Sequence, residues 1–156
     1  KVTTALLADL TKIVSAHMTG TDQRLVLDAA KSNKPQLKRL CHFDLQSANV
    51  VRDRNFNPRV VDLDNLGLGT AYADGLLAAA WNSAKIEDID RLEHELAQEE
   101  GRRIEPQDVI VAIAYALSWK NARERLGSPL DDWMEAAFAA GIKVLITKLR
   151  SISSRS

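Results

Sequence analysis

Between Leu40 and Asn65 the chain reads LCHFDLQSANVVRDRNFNPRVVDLDN. His42, Asp44, Asn49, Asp62 and Asp64 crowd together there, all of them types that bind cations or move protons. Asn49 follows Asp44 by five residues, and Asp62 comes thirteen residues later at the end of an apolar stretch. The three can meet only if the chain between them doubles back and lays Asp62 beside Asp44 and Asn49. Two carboxylates and an amide oxygen are hard donors, suited to Mg²⁺ rather than zinc. Mg²⁺ held by few protein groups leaves places for substrate phosphates, and the remaining carboxylate can orient a hydroxyl and accept its proton. Together these make the catalytic half of a phosphoryl-transfer site. The plainer alternative is a set of turn caps, because Asp and Asn side chains often bond their own backbone in hairpin loops.

The elements that must position these residues are helical on both sides. Leu6, Leu7, Leu10, Ile13, Val14 and Met18 recur at spacings of three and four, predicting a helix over 4–19 that Thr3 or Thr4 opens and Gly20 ends. Thr21 then caps a helix to about Ser32, with Leu25, Leu27 and Ala30 inward, and a short helical turn is expected over 35–38. VV at 50–51 and RVVDL at 59–63 are β-type pieces around the polar turn RDRNFNP, predicting a small hairpin. Four helical patterns follow. The first covers 70–82, and the second covers 84–100 and stops at Gly101. A third opens at Pro106, a favoured first-turn position, and a fourth starts after Ser128, Pro129 and Asp131. Trp133, Met134, Phe138, Leu145 and Leu149 are expected on the buried side of that last helix.

Bulk properties narrow the function. A chain of 156 residues with 46% hydrophobic and 27% charged residues suits one globular domain with a real core. Its formal net charge of +0 argues against a nucleic-acid binder, which would carry a basic excess. The single Cys41 allows neither an internal disulfide nor a cysteine-based zinc site, and a cytoplasmic setting fits. No apolar run approaches a membrane span and no signal-peptide pattern opens the chain, so no membrane association is expected. The start at Lys1 rather than Met points to a processed or truncated chain.

With its surroundings, CHFDLQSANVVRD…RVVDLDNLGLGTAYADGL resembles the catalytic and metal-binding loops of the aminoglycoside phosphotransferase and choline kinase group. These are small-molecule kinases with a protein-kinase-like fold. Their pattern is His-x-Asp-x-x-x-x-Asn, a hairpin, an apolar strand ending in Asp, and a Tyr-Asp pair opening a helix. His42, Asp44 and Asn49 match the first motif, Asp62 matches the strand-end ligand, and Tyr72 and Asp74 approximate the last with one extra residue between them. The resemblance implies Asp44 as catalytic base, Asn49 and Asp62 as Mg²⁺ ligands, Asp74 as an acceptor bracing the catalytic loop, His42 as structural, and Asp64 in support. It further implies ATP and Mg²⁺, and a small-molecule hydroxyl acceptor such as an aminoglycoside or choline. The implied fold is mainly α (α+β overall): the helical C-terminal lobe of that fold over 1–150, with a small β-hairpin carrying the catalytic and metal loops and a frayed tail over 151–156. Two departures stand out: Phe43 replaces the usual small residue before the base, and Gln46, Ser47 and Ala48 replace a His-Pro-Gly-like stretch. Nothing before residue 40 resembles the N-terminal lobe, with its Gly-rich loop and strand-borne Lys, so that lobe is expected from elsewhere in the same chain or from another.

Other readings compete. A degenerate kinase lobe kept for binding or scaffolding would also show this pattern. VVDLDN is compatible with the opening strand of a haloacid-dehalogenase-like phosphatase, but that fold needs further parallel strands where this sequence has helical periodicity. The acidic run IEDIDRLEHELAQEE is expected as a solvated helix face, or as the lining of a pocket for a cationic acceptor. Trp81, Trp119 and Trp133 have the spacing of core residues, the alternative being a cage for a quaternary ammonium. Lys31, Lys34, Lys38 and Arg39 are expected on the surface.

Overall fold

The computed structural model describes residues 8–82 and 84–155. Among them, helices α1 (Leu10–His17) and α2 (Gly20–Ser32) precede two short antiparallel strand pairs. Strand β1 (Arg39–Cys41) pairs with β4 (Gly67–Gly69), Leu40 facing Leu68. Inside that pair lies the hairpin of β2 (Val50–Arg52) and β3 (Pro58–Val60), with Val51 opposite Arg59. Helices α3 (Ala73–Asn82), α4 (Ile86–Glu100), α5 (Pro106–Arg125) and α6 (Asp132–Ser153) complete the order. The fold is therefore mainly helical with a small antiparallel β part. No helix among the described residues is long and apolar enough to cross a membrane.

Helix α5 is the axis of the core. Every residue from Asp108 to Leu117 is buried, so its first half is enclosed on all sides, and α1, α2, α3 and α6 all pack against it. Such a helix shows no amphipathic stripe because it has no solvent face there. Its start is fixed by a reciprocal capping box between Glu105 and Asp108, with Pro106 behind the cap. Helix α6 crosses α3 where Gly141 lies against Trp81 and the carbonyl of Ala80. On its other flank α6 buries Lys148, whose ammonium donates to Asp90 Oδ1 at 2.7 Å and Glu93 Oε2 at 2.6 Å on α4. A lysine with no exposed side chain needs such partners, because a lone buried charge is strongly disfavoured.

Several expectations shift. Leu6, Leu7, Thr3 and Thr4 lie outside the described residues. Gly20 opens α2 with a positive φ of 64° instead of closing α1, so Thr19 and not Thr21 stands at the cap; Leu25, Leu27 and Ala30 pack against the core as expected, with Val26 and Ala29 the buried residues of the helix. Residues 35–38 form no helical turn, because the chain runs there into β1. Trp133 is 71% exposed and not on the buried side of α6. Helix α6 continues to Ser153, so the tail expected from residue 151 is helical for three residues; Ser151 Oγ and Ser153 Oγ bond back to Lys148 O and Leu149 O.

A methyl group at residue 141 would stand 2.7 Å from Trp81 Cζ3 and 3.0 Å from Ala80 O. Alanine's better helix propensity returns about 1 kcal/mol, but overpacking costs about 1–3 kcal/mol, and the Ala80 carbonyl cannot step aside. Gly141→Ala should therefore lower stability by about 1 kcal/mol, read from the midpoint of urea denaturation.

Candidate functional site

The site is built on a sharp turn after β1. Asp74, in the first turn of α3, accepts two backbone hydrogen bonds: His42 N to Oδ2 at 2.8 Å and Phe43 N to Oδ1 at 2.7 Å. Between those bonds the chain enters the left-handed region at Phe43, φ 62°. A non-glycine residue there costs about 1–2 kcal/mol. The Asp74 carboxylate offsets this, as does the Phe43 ring, which is buried and stacked on Tyr115 of α5 with centroids 4.8 Å apart. Gly69 passes directly over this turn, and a Cβ there would stand 2.7 Å from Cys41 Sγ and 2.8 Å from the Phe43 ring. The turn sends Phe43 inward and brings Asp44 to the edge of a cavity.

Asp44 is held by two amides. Asn49 Nδ2 donates to Asp44 Oδ2 at 2.8 Å and to the Asp44 carbonyl at 2.9 Å, while Gln46 Nε2 donates to Oδ1 at 2.9 Å. Asn49 thus spends its amide hydrogens on Asp44, which leaves its Oδ1 as a donor atom for a cation. A short 3₁₀ turn over Ser47–Asn49 closes the spacing between them. The hairpin then returns: Val61 N bonds Asn49 O at 2.9 Å, setting Asp62 one residue beyond that contact. His42 ties the same two pieces together. Its Nε2 faces Val61 O at 3.0 Å and its Nδ1 faces Asp44 N at 3.3 Å. A carbonyl needs a donor and an N–H an acceptor, so the ring proton sits on Nε2.

Asp62 is exposed, adopts a left-handed φ of 61°, and makes no side-chain hydrogen bond among the described residues. Asp64 is exposed one turn further on, within the 3₁₀ turn Leu63–Asn65. His42, Asp44, Asn49 and Asp74 therefore form one hydrogen-bonded unit, with Asp62 beside it and Asp64 outside it. Among the described residues no three His, Cys, Asp or Glu side chains gather as a metal centre. Asp44, Asn49 Oδ1 and Asp62 supply oxygens of the hard type that Mg²⁺ takes.

Beside Asp44 opens a cavity of about 350 Å³ between α3, α5 and α6. Trp81, Trp119 and Trp133 all line it, together with Phe138, Tyr115 and Arg123. Trp81 and Trp119 pack against the core as expected and also wall the cavity, while Trp133 lies at its exposed edge. Sequence periodicity missed this because a helix face looks apolar whether it meets a core or a pocket. The acidic run of α4 does not reach the cavity; two of its carboxylates face Lys148 instead. Burial, reinforced by the charges of Asp44 and Asp74, pushes the Tyr115 phenol up to about 12. Burial, with Asp74 and Asp108 adding to it, does the same to the Cys41 thiol, also to about 12.

Comparison with protein-family models, with curated proteins and with solved structures found no match.

Replacing Asp74 with Asn should strip an acceptor from the turn, because one carboxylate oxygen becomes an N–H₂ that faces a backbone N–H. One buried donor is left unpaired, costing about 1–3 kcal/mol. Chemical denaturation should register that loss, and backbone amide exchange should speed up first at His42 and Phe43. Alkali acts on the same region. Cys41 and Tyr115 stay protonated in the folded chain after the unfolded chain has ionised. Their contribution is therefore complete below the ordinary thiol and phenol ranges and lost as pH rises to about 12. Urea midpoints measured from pH 8 upward should fall progressively above about pH 9, and a flat profile to pH 11 would contradict both shifts.

Proposed function

We infer that this chain is the acceptor- and metal-binding lobe of a phosphotransferase that moves the γ-phosphate of ATP to a hydroxyl of a small molecule. The observation that carries the reading is the joined unit of Asp44, Asn49 and the residue before Asp62, braced by Asp74. A hairpin whose polar residues merely cap turns has no need of a carboxylate pinned by two amides at a cavity mouth. Asp53 shows what capping looks like in this protein: it accepts from Asn55 N and Asn57 N within its own turn, and those bonds lower its pKa.

In this reading Asp44 orients the acceptor hydroxyl and takes its proton as that oxygen bonds the γ-phosphorus and the bond to ADP breaks, the electron pair leaving with ADP. Asn49 Oδ1 and Asp62 would hold Mg²⁺, which when bound would neutralise charge on the phosphates. His42 fixes the spacing of the two loops, Asp74 fixes the turn, and Asp64 stands next to the metal side. A further unit is required to cover the nucleotide. The exposed apolar residues Leu40, Val60, Val61, Leu63, Leu66 and Leu68 beside Asp62 give it a surface to cover, whether it belongs to the same chain or another. A scaffold without chemistry is the second reading, favoured by the departures at Phe43 and at Gln46 to Ala48. Gln46 nonetheless bonds Asp44 directly, and Phe43 anchors the turn to the core.

The test is turnover with ATP and Mg²⁺ in protein that carries its nucleotide-covering unit. Asp44→Ala should lower the rate by about a thousandfold. Its melting temperature should stay close to that of the parent, since Asp44 is only half-buried. A near-normal rate would remove Asp44 from the chemistry.

A further inference from the structure

The cavity beside Asp44 has a chemistry that selects its occupant. Its walls are aromatic: Trp81 stacks on Phe138 with centroids 5.3 Å apart, and Tyr115, Trp119 and exposed Trp133 complete the lining. Aromatic walls alone accept flat neutral rings and cations equally, because the ring faces attract positive charge. Arg123 breaks that balance. Its guanidinium sits over Trp119, 5.4 Å from the ring centroid, so it already occupies a cation site on the wall. Its hydrogen bonds go to neutral groups, Nε to Ser128 O and Nη2 to Ser128 Oγ, both at 3.1 Å. Among the described residues no carboxylate pairs with it, whereas nearby Lys120 is paired with Glu135 and Glu124. The lining therefore holds one positive charge without a carboxylate partner, Arg123, and one negative charge, Asp44, which is bonded to two amides and not to a cation.

We propose that this cavity binds a hydroxylated acceptor with a flat apolar body and an anionic group: the ring lies among the tryptophans, the anion meets Arg123, and the hydroxyl reaches Asp44. The acceptor assignment rests on the phosphotransferase reading, while the binding preference stands on the cavity alone. Arg123 repels a cationic group at its end of the cavity, so an aminoglycoside or a quaternary ammonium alcohol loses there what an anion gains. At about 350 Å³ the cavity lies at the small end of ligand pockets, which suits a single-ring compound.

The chain's three tryptophans all line this cavity, so intrinsic fluorescence reports its occupancy directly. Three alcohols of one shape and different charge serve as probes: para-hydroxymethyl benzoate, benzyl alcohol and para-hydroxymethyl benzyltrimethylammonium, titrated without nucleotide. The benzoate should bind about tenfold tighter than benzyl alcohol, and the ammonium compound more weakly than either. Arg123→Gln should erase the benzoate's advantage while benzyl alcohol binds as before, and Arg123→Lys should restore much of it. Trp133→Ala, at an exposed position where folding is not at stake, should weaken all three. Tightest binding by the ammonium compound, or no saturable quenching by any probe, would overturn the proposal. If the probes bind in the expected order but the protein carrying its nucleotide-covering unit phosphorylates no alcohol, the cavity assignment stands and the transfer reading falls. If it phosphorylates the ammonium alcohol in preference, the transfer reading stands and this assignment falls.

Discussion

One carboxylate, Asp74, holds two consecutive backbone N–H groups, those of His42 and Phe43. That clamp lets a phenylalanine occupy a left-handed turn which its side chain would otherwise resist. From the turn, Phe43 goes down onto Tyr115 and Asp44 goes out to the cavity. Asp44 then has fixed places for Asn49 and Gln46, and His42 reaches Val61 to bring the returning strand alongside. A single charge-assisted acceptor at the start of α3 thus sets the positions of both loops, and it is placed at the helix end that favours a negative charge.

The clamp rests on a helix that is packed on several sides. Leu76 and Leu77 are buried, and α3 is packed between α5 and α6, with Gly141 allowing α6 to come against Trp81. The same close approach that makes α3 rigid also places Trp81 and Phe138 as one wall of the cavity. Packing and site are therefore coupled: the residues that hold Asp44 in place also shape what can approach it. Lys148 closes the opposite flank by tying α6 to α4, which keeps the acidic helix on the far side from the cavity.

The order of the helices was legible because each has its own stop or start: Gly101 in the left-handed conformation, Pro106 behind a capping box, Asp131 accepting from Met134 N. The β2–β3 hairpin was equally legible from its apolar pieces and polar turn, and so were the residues of the Asp44 loop. The pairing of β1 with β4 was not. RLC and GLG are three-residue strands with no alternating pattern, and they pair only because Gly69 can lie over Cys41 and Phe43. Trp133 was placed inside by its spacing, yet it is 71% exposed at the rim of the cavity, because a helix face that borders a cavity is apolar without being covered. Lys148 gave no sign of burial, since the partners that make it tolerable come from a different helix. Arg123, the residue that colours the cavity, carries no motif at all; its importance follows from what it lacks among its neighbours.

The proposed phosphotransferase reading requires that Asn49 and Asp62 bind a cation beside Asp44, and paramagnetic broadening tests such binding directly. Isotopically labelled chain would be titrated with Mn²⁺ in the presence of ATP while its amide resonances are followed. Broadening should begin at the Asn49 side-chain amide and the backbone amides around Asp44 and Asp62, well before α4, and Asp62→Asn should abolish that local effect. Broadening that starts instead along the acidic face of α4, or that is unchanged in Asp62→Asn, would contradict the account.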